Sequence, residues 1–433
     1  MKFEKLFYVI ASTVLITTFI LIGYISSLYN AHDKDSTLKK IYYVDNITKA
    51  HQKVIDLFNQ KYRGRIQVVA INTPFEKFST NERKELLARY LRSKSDRIDV
   101  FAVDQIWVPR FAKWCIPIEK INAPNQENHL LNFAMESCFF DGTLVAVPIY
   151  IDIAMMVCRD DILEQRLHDY KYWQTKLKES ITWEDFIKLH AEITNDNPFY
   201  LFPADDYEGL ICCFTEMMAS QNKPLIENKT LNLNTPEAEK SLQTLIDLVY
   251  RYNMSPKQVC QFKENPSYDY YVENNGIFLR GWSAFMSTYS NRIKSPKARL
   301  SIIPTPHFSE GKATSVFGGW NLMISKYSSK PAESMIFINF VTSREAQKIF
   351  YEESGLLPIN DELYSDSLYV KNHVELNFYH SLMQHGFHRP FLENYTSISD
   401  ILSYYFNLAM RRKITAREAL IKAEEKIHSA NIF

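Results

Sequence analysis

The order of apolar and polar positions along the chain changes repeatedly between two patterns. Apolar runs at 41–44, 65–71 and 98–103 have the length and composition of β-strands. Between them, 48–62 and 81–92 place apolar side chains three and four residues apart, which predicts amphipathic helices. Strand, helix, strand, helix, strand is typical of an α/β fold, in which a parallel sheet forms through right-handed crossovers.

A long apolar run follows in the middle of the chain. Residues 143–148 predict a short strand, and 149–158 predict an extended segment that leaves one lobe and enters another. Thr182 opens a further helix as a capping residue. The remaining predicted elements are a strand at 300–303 and helices at 236–251, 332–342, 344–352, 399–410 and 415–427.

The N-terminal segment, residues 1–37, has a different pattern. Residues 6–25 contain no charged side chain and follow Lys2 and Lys5. About 20 apolar residues are needed for a helix to span a bilayer, whereas the apolar part of a secretory signal is about 7 to 15 residues long. The best cleavage position, after Ser27, has a poor pattern, and no cysteine follows that could carry a lipid. We therefore expect an uncleaved transmembrane anchor with the body of the protein exported; a cleaved signal is the alternative.

Composition narrows the class of protein. The chain has 433 residues, enough for two lobes of ordinary size, and 50 basic against 50 acidic residues give a formal net charge of zero. This balance offers nothing that would attract nucleic acid or anionic lipid. Aromatic residues make up 14% of the chain, which favours a flat-ringed ligand, although an aromatic-rich core is the alternative.

The six cysteines show no spacing that would bind a metal ion. An exported domain could pair some of them as disulfides. Buried free thiols are favoured, because Cys212 and Cys213 are adjacent and lie in an apolar, helix-like run. The sequence predicts neither a metal site nor a cofactor.

Two adjacent glycines introduce a candidate site. Gly318 and Gly319 precede Trp320, and an apolar run follows. Glycine lets the backbone turn sharply or come close to another group, and a Trp beside it has an open face that suits a ligand ring. The alternative is a tight turn that enters a strand carrying a core Trp.

Four segments together resemble one family. They are DVFAVDQIW at 99–107, AVPIYID at 146–152, GIFLRGW at 276–282 and FGGWN at 317–321. In order and spacing they are similar to the ligand-contacting and interlobe segments of the extracellular solute-binding proteins of ABC importers, in the maltose-binding-protein-like group. The resemblance extends from about Leu38 to the C-terminus.

The resemblance implies a periplasmic-binding-protein-like fold of two discontinuous α/β lobes joined by a hinge. It places 38–148 and 318–361 in lobe one, and 150–316 and 362–433 in lobe two. It also implies that a small solute, expected to be a carbohydrate, is captured between the lobes and delivered to the permease subunits of an ABC transporter. The protein would act in the periplasm or on the extracytoplasmic face of the membrane.

Three charged residues are candidates for the cleft between the lobes. Asp104 directly follows the third predicted strand, and such sheets bind ligands beyond the carboxyl ends of their strands; its alternative role is a helix N-cap. Asp152 lies in the apolar crossing run, where an unpaired charge is costly, so we expect a ligand or a basic partner beside it. Arg389 lies in a segment similar to the one before the family's last helices, and an ion pair between helices is its alternative role.

The other candidates offer ring faces, or room for a ring. They are Trp107, Tyr150, Phe199, Trp282, Gly319 and Trp320. Phe199 lies in a segment that resembles a family segment with a sugar-stacking aromatic, and Trp282 follows Gly281, where glycine leaves space for approach. Core packing is the alternative for each ring.

Two other classes of function fit the sequence less well. A glycosidase needs two carboxylates flanking one bond, which Asp104 and Asp152 could supply. No nucleophile elbow, phosphate-binding loop, dinucleotide fingerprint or zinc motif is present, so we predict no catalytic residue. A membrane-anchored sensor or scaffold with the same fold is the more serious alternative, because an uncleaved anchor would suit it.

Overall fold

The computed structural model describes residues 17, 18, 20, 21, 38–74, 77, 80–95, 97–121, 129–193, 197–227 and 230–430. The predicted membrane segment, residues 6–25, lies outside these ranges except at positions 17, 18, 20 and 21. Within the described ranges, no helix has the length and apolar character required to cross a membrane. The anchor therefore stays a prediction.

Helices of very different lengths surround the sheets. Among the described residues they are α1 Lys49–Lys61, α2 Thr80–Arg92, α3 Val108–Phe111, α4 Asn132–Glu136, α5 Asp160–Arg166, α6 Tyr170–Lys178, α7 Trp183–Glu192, α8 Glu208–Ser220, α9 Pro236–Tyr250, α10 Glu264–Glu273, α11 Ala284–Thr288, α12 Pro331–Val341, α13 Arg344–Ser354, α14 Glu362–Ser365, α15 Ser367–Asn372, α16 Glu375–Met383, α17 Tyr395–Met410 and α18 Ala416–Ser429.

Among the described residues, the strands form two main sheets and two small two-stranded sheets. They are β1 Lys39–Asp45, β2 Ile66–Asn72, β3 Val100–Asp104, β4 Phe139–Phe140, β5 Thr143–Leu144, β6 Val147–Ile153, β7 Met155–Arg159, β8 Tyr200–Leu201, β9 Ile226–Glu227, β10 Thr230–Leu231, β11 Phe278–Gly281, β12 Leu300–Ile303, β13 Ser315–Ile324 and β14 Gly386–Phe387.

The first sheet follows the pattern predicted for the N-terminal part of the chain. β1 pairs in parallel with β2 and with β3, and β13 adds antiparallel to β3 and also pairs with β6 and β14. α1 begins at Lys49 because the side chain of Thr48 caps it by accepting from the backbone N–H of His51. Since β1 and β3 are parallel, their last residues, Asp45 and Asp104, lie on the same edge of the sheet.

The second sheet has the strand order β12, β7, β11, β8. β7 is antiparallel to β12 and β11, and β11 is parallel to β8. Helix α17 packs beside this sheet on α8, where the rings of Phe214 and Phe406 lie 4.6 Å apart. Asn407 of α17 also donates to the backbone carbonyls of Ala204 and Cys260, so α17 belongs to lobe two.

The apolar run predicted to pass between lobes consists of two strands. β6 lies in the first sheet and β7 in the second, with Ala154 between them. The backbone N–H of Ala154 donates to the carbonyl of Val316 in β13 at 3.0 Å, so the two interlobe connections run side by side. The fold is therefore α/β with two discontinuous lobes, as predicted, and the stated lobe boundaries stay a prediction.

Most predicted helices agree with the structure to within a few residues. α17 is an exception because it begins at Tyr395, one turn before the predicted start at residue 399. Thr396 and Ser397 give this turn a polar appearance in the sequence. Tyr395 and Ile398 are nevertheless buried, and their packing extends the helix.

The six cysteines are buried free thiols, which confirms the sequence prediction. Burial raises the pKa of every one of these thiols. A thiol of raised pKa is a poor nucleophile near neutral pH. The cysteines therefore act as small apolar side chains in the core.

Candidate functional site

Asp45 organises the carboxyl edge of the first sheet. Its carboxylate accepts a hydrogen bond from the hydroxyl of Tyr43 and another from Arg83 at 3.1 Å, and His51 Nε2 lies 3.3 Å away. Burial acts to raise the pKa of Asp45, but the hydrogen bond and charge of His51, together with Arg83, outweigh burial and lower it. Asp45 is therefore an ionised group that is already paired within lobe one.

Arg83 covers the ring of Trp320. The guanidinium carbon lies 4.3 Å from the ring centroid, and Trp107 meets the same indole edge-on with centroids 5.4 Å apart. Trp320 is 7% exposed and Trp107 is 2% exposed. A cavity of about 10 Å³ lies between these side chains, room for about one water molecule. Both indoles are packed within lobe one in this structure.

Asp104 lies at the end of β3, where the two lobes meet. Its Oδ1 accepts from the backbone N–H of Ile106 at 3.2 Å, so it fills the capping role that the sequence offered as an alternative. Arg389 Nη2 lies 3.5 Å from the same oxygen. Burial raises the pKa of Asp104 to about 6, although the charge of Arg389 acts to lower it.

Close contacts leave no room for a side chain at either glycine of the Gly-Gly-Trp motif. Gly319 has a φ of +135°, and a Cβ there would lie 2.7 Å from the carbonyl oxygen of Tyr150 on β6. A Cβ on Gly318 would lie 3.0 Å from the ring of Trp282. The motif therefore allows close approach, as predicted, of a neighbouring strand and of an aromatic ring from the other lobe.

Trp282 is the ring that reaches the interlobe connection from lobe two. It is partly buried, and Arg280 lies 4.5 Å from its ring centroid. Arg280 is itself paired with Glu216 at 3.3 Å. The backbone N–H of Trp282 donates to the hydroxyl of Tyr268 at 3.0 Å. These contacts fix the ring while leaving part of it accessible.

Asp152 ties the crossing strand to the loop after Trp282. Its Oδ1 accepts from the backbone N–H groups of Ser283 at 3.0 Å and Ile153 at 2.9 Å. The hydroxyl of Ser283 donates in turn to the carbonyl of Gly355. Burial raises the pKa of Asp152 to about 6, against the lowering effect of these donors. The partners that the structure provides are thus backbone N–H groups.

Arg389 joins the lobes through ion pairs. Its Nη1 donates to Glu208 of α8 at 2.6 Å, while Nη2 faces Asp104 of lobe one. The hydroxyl of Tyr395 donates to the same Glu208 at 2.9 Å. The ion pair between elements, which was the alternative interpretation of Arg389, is therefore present.

Phe199 lies in the core of lobe two. It is 3% exposed, and its ring contacts Phe186, His190 and Phe278, with centroids 4.8 to 5.0 Å apart. The core-packing alternative thus describes its surroundings in this structure. The other predicted residues lie on the edge of the first sheet, on the crossing strands or in the segments that face them.

Asp45 and Arg83 are candidates that only the structure reveals. Asp45 had a usable signal, because it ends the first predicted strand just as Asp104 ends the third. Arg83 had none, since it is one of several charged residues on the exposed-looking helix α2. Only tertiary structure brings it to Asp45 and Trp320.

The comparison with known protein families identifies the family of this chain. Residues 53–376 match the family described as bacterial extracellular solute-binding protein. The chain belongs to this family. As a bacterial extracellular solute-binding protein, it acts outside the cytoplasm and works by binding rather than by catalysis.

Two curated relatives cover most of the chain. A probable ABC transporter-binding protein of Deinococcus radiodurans is 22% identical over 385 residues, which span 87% of this solute-binding protein and 89% of the relative. An arabinooligosaccharide-binding protein of Halalkalibacterium halodurans is 20% identical over 408 residues, spanning 87% and 86%.

Solved structures show the same fold. The maltose-bound MalE3 of T. maritima has a TM-score of 0.79 at 23% identity, and the match covers 91% of this chain and 100% of that one. A tagatose-bound solute-binding protein of Thermotoga lettingae has a TM-score of 0.78 at 19% identity, covering 91% and 99%. The maltose-binding-like fold of this solute-binding protein is therefore shown.

Proposed function

We propose that this protein captures a neutral carbohydrate in the cleft between its lobes and delivers it to the permease of an ABC transporter. The observation that carries the proposal is the convergence of partly accessible groups from both lobes at the Gly-Gly-Trp motif. These groups are Asp104, Tyr150, Asp152, Trp282 and Gly319.

The register of the strands accounts for this convergence. Trp320 pairs with Asp104 on one side of β13 and with Tyr150 on the other. Gly318 pairs with Asp152 and makes room for Trp282. A small solute at this point would meet carboxylates, a phenol hydroxyl and an indole face together, which is the mixture that recognises a sugar ring.

The charge distribution favours a neutral solute. Three arginines beside the cleft groups, Arg83, Arg280 and Arg389, are each paired with a carboxylate: Asp45, Glu216 and Glu208 respectively. Asp104 and Asp152 remain as acceptors, and a carboxylate accepts hydrogen bonds from sugar hydroxyls. The wall of the cleft is supported by the buried side chains of Trp107, Trp320 and Arg389, which lie beneath these groups. Carbohydrate ligands are also named for several relatives, including maltose and arabinooligosaccharide.

Isothermal titration tests this proposal with maltose, maltotetraose, arabinooligosaccharides and mannitol as probes. We expect saturable binding of at least one probe, without any change in the probe itself when it is recovered. Binding of none of them, or a shortened oligosaccharide after incubation, would contradict the proposal.

The membrane anchor is part of the same proposal. Residues 6–25 are uncharged and long enough to span a bilayer, so the exported body stays attached to the membrane surface. We expect the mature protein to keep its N-terminus and to remain with membranes after washing in 1 M salt, since apolar burial is insensitive to salt. A soluble chain that begins near Leu28 would show a cleaved signal instead.

A further inference from the structure

The lobes contact each other along one face of α17. Glu393 just precedes this helix, and Thr396 and Asp400 lie on it. Spacings of three and four residues place the side chains in a stripe on one side of a helix. The stripe presents three side chains whose oxygens can accept hydrogen bonds, two carboxylates and the hydroxyl of Thr396.

Lobe one presents a matching row of donors to this stripe. Each donor belongs to α2, α3 or the turn after α3, and each contacts a different acceptor. The contacts are Lys84 to Asp400 at 3.5 Å, Arg110 to Thr396 at 2.9 Å and Lys113 to Glu393 at 3.2 Å.

A pair with the charges reversed lies beside the row. Here lobe one supplies the carboxylate, Asp104, and lobe two supplies the cation, Arg389. Glu208 holds Arg389 from within lobe two. Next to this pair, Oε1 of Gln105 in lobe one lies 3.1 Å from Nδ1 of His388 in lobe two.

We propose that these contacts form an interlobe latch, which holds the cleft closed through contacts within the protein and without a bound solute. The interlobe latch is defined as Lys84, Asp104, Arg110 and Lys113 of lobe one with Arg389, Glu393, Thr396 and Asp400 of lobe two. It rests on the two-lobe fold and not on the identity of the solute.

The position of the latch predicts that it responds to salt. Glu393, Lys113 and Asp400 have side chains that are 57%, 53% and 51% exposed, so ions in solution screen their charges. Lys84 and Arg389 have side chains that are only 3% and 2% exposed in the closed arrangement. Opening the lobes would separate Lys84 from Asp400 and Arg389 from Asp104, while the Arg389 pair with Glu208 stays within lobe two.

A distance measurement between the lobes tests the latch without any solute. Nitroxide labels are placed on full-length protein in detergent through Arg89→Cys on α2 and Tyr404→Cys on α17, both exposed positions. The six native cysteines are buried, which directs labelling to the new thiols. Double electron–electron resonance then reports the distance between the two helices.

We expect a short distance at 0.1 M salt and a larger share of long distances at 1 M salt, because the Debye length falls from about 10 Å to about 3 Å. Glu393→Lys with Asp400→Lys places like charges across the latch and should give long distances at both salt concentrations. A variant with both Glu393→Lys and Lys113→Glu exchanges the two charges of this ion pair. Its attraction is kept, so short distances are expected.

The control places like charges at an ion-paired site within lobe one. Lys53 and Glu353 lie 2.7 Å apart there, and Glu353→Lys should leave the distance unchanged. Melting temperatures confirm that every variant is folded. Unchanged distances in the Glu393→Lys, Asp400→Lys protein would refute the latch, whereas failure to bind any sugar would refute only the proposed function.

Discussion

At the scale of single residues, burial separates the aromatic candidates into two groups. Trp107, Phe199 and Trp320 are enclosed by other side chains, while Tyr150 and Trp282 stay partly accessible. The sequence could not make this distinction, because each ring occurs in an apolar segment that suits both a core and a cleft. Tertiary contacts, such as that between Arg83 and the Trp320 ring, decide which rings are buried. Substitutions of Trp282 and Trp320 should therefore have different effects.

Replacing Trp282 and Trp320 with alanine should have opposite effects. Trp282→Ala removes an accessible ring, so sugar affinity should fall by about 1–3 kcal/mol, or roughly ten- to hundredfold, with little loss of stability. Trp320→Ala leaves a cavity beside Trp107 and should cost about 3–5 kcal/mol of unfolding free energy. Urea unfolding and calorimetric titration of both variants measure this. Equal loss of stability in the two proteins would mean that Trp282 is a core residue.

Asp152 should make stability depend on pH in the opposite direction from an ordinary surface carboxylate. Its pKa is raised from 3.8 to about 6, so its stabilising contribution is complete below pH 3.8 and is lost as the pH rises through about 6. Asp152→Asn keeps an acceptor for Ser283 and removes the charge. The variant should match the parent at pH 4 and exceed it by up to about 3 kcal/mol at pH 8.

Denaturant unfolding at pH 4, 6 and 8 measures this difference, with the exposed Asp361→Asn as the matched control. The control measures the effect of removing one exposed carboxylate under the same conditions. A stability gap between the Asp152→Asn variant and the parent that is the same at all three values would contradict the assignment. Sugar affinity should fall in Asp152→Asn even where its stability rises, because a carboxylate acceptor is lost.

At the scale of elements, α8 connects the cleft to the rest of lobe two. It carries Glu208 and Glu216, which hold the buried Arg389 and Arg280. Glu216 also accepts from the backbone N–H of Val316 at 3.3 Å, so the same helix holds the interlobe strand β13. The helix-like apolar run around Cys212 and Cys213 indicated this helix, but sequence patterns predicted neither its bounds nor its ion pairs, because the run has no clear period and the partners lie far away in the chain.

Removing Glu216 should destabilise the protein through the charge that it leaves behind. Glu216→Gln keeps the size of the side chain but leaves the buried Arg280 without its carboxylate partner. This should lower the free energy of unfolding by about 3–5 kcal/mol. Adding Arg280→Met removes the stranded charge and should recover much of that loss. A double-mutant cycle from urea unfolding gives the coupling energy. Additive losses would show that the two side chains do not act as a pair.

At the scale of the whole molecule, the fold was predictable and the contacts between the lobes were not. The alternation of strands and helices and the crossing run at 149–158 follow from local patterns, whereas the second crossing at the glycine pair was implied by the family resemblance. The contacts between lobes join residues about 280 to 320 positions apart, such as Lys84 with Asp400 and Lys113 with Glu393. No local pattern encodes such pairs, so the latch and the paired arginines became visible only in three dimensions.

Native mass spectrometry tests the central claim of carbohydrate capture most directly. The protein is purified from its own cells in detergent without added sugar, and its mass is compared with that of the bare chain. We expect an additional mass equal to a whole number of sugar residues, released on denaturation and less abundant in the Trp282→Ala variant. A bare chain that also fails to gain mass across the sugar probes would contradict carbohydrate capture, as would a bound species of another chemical class.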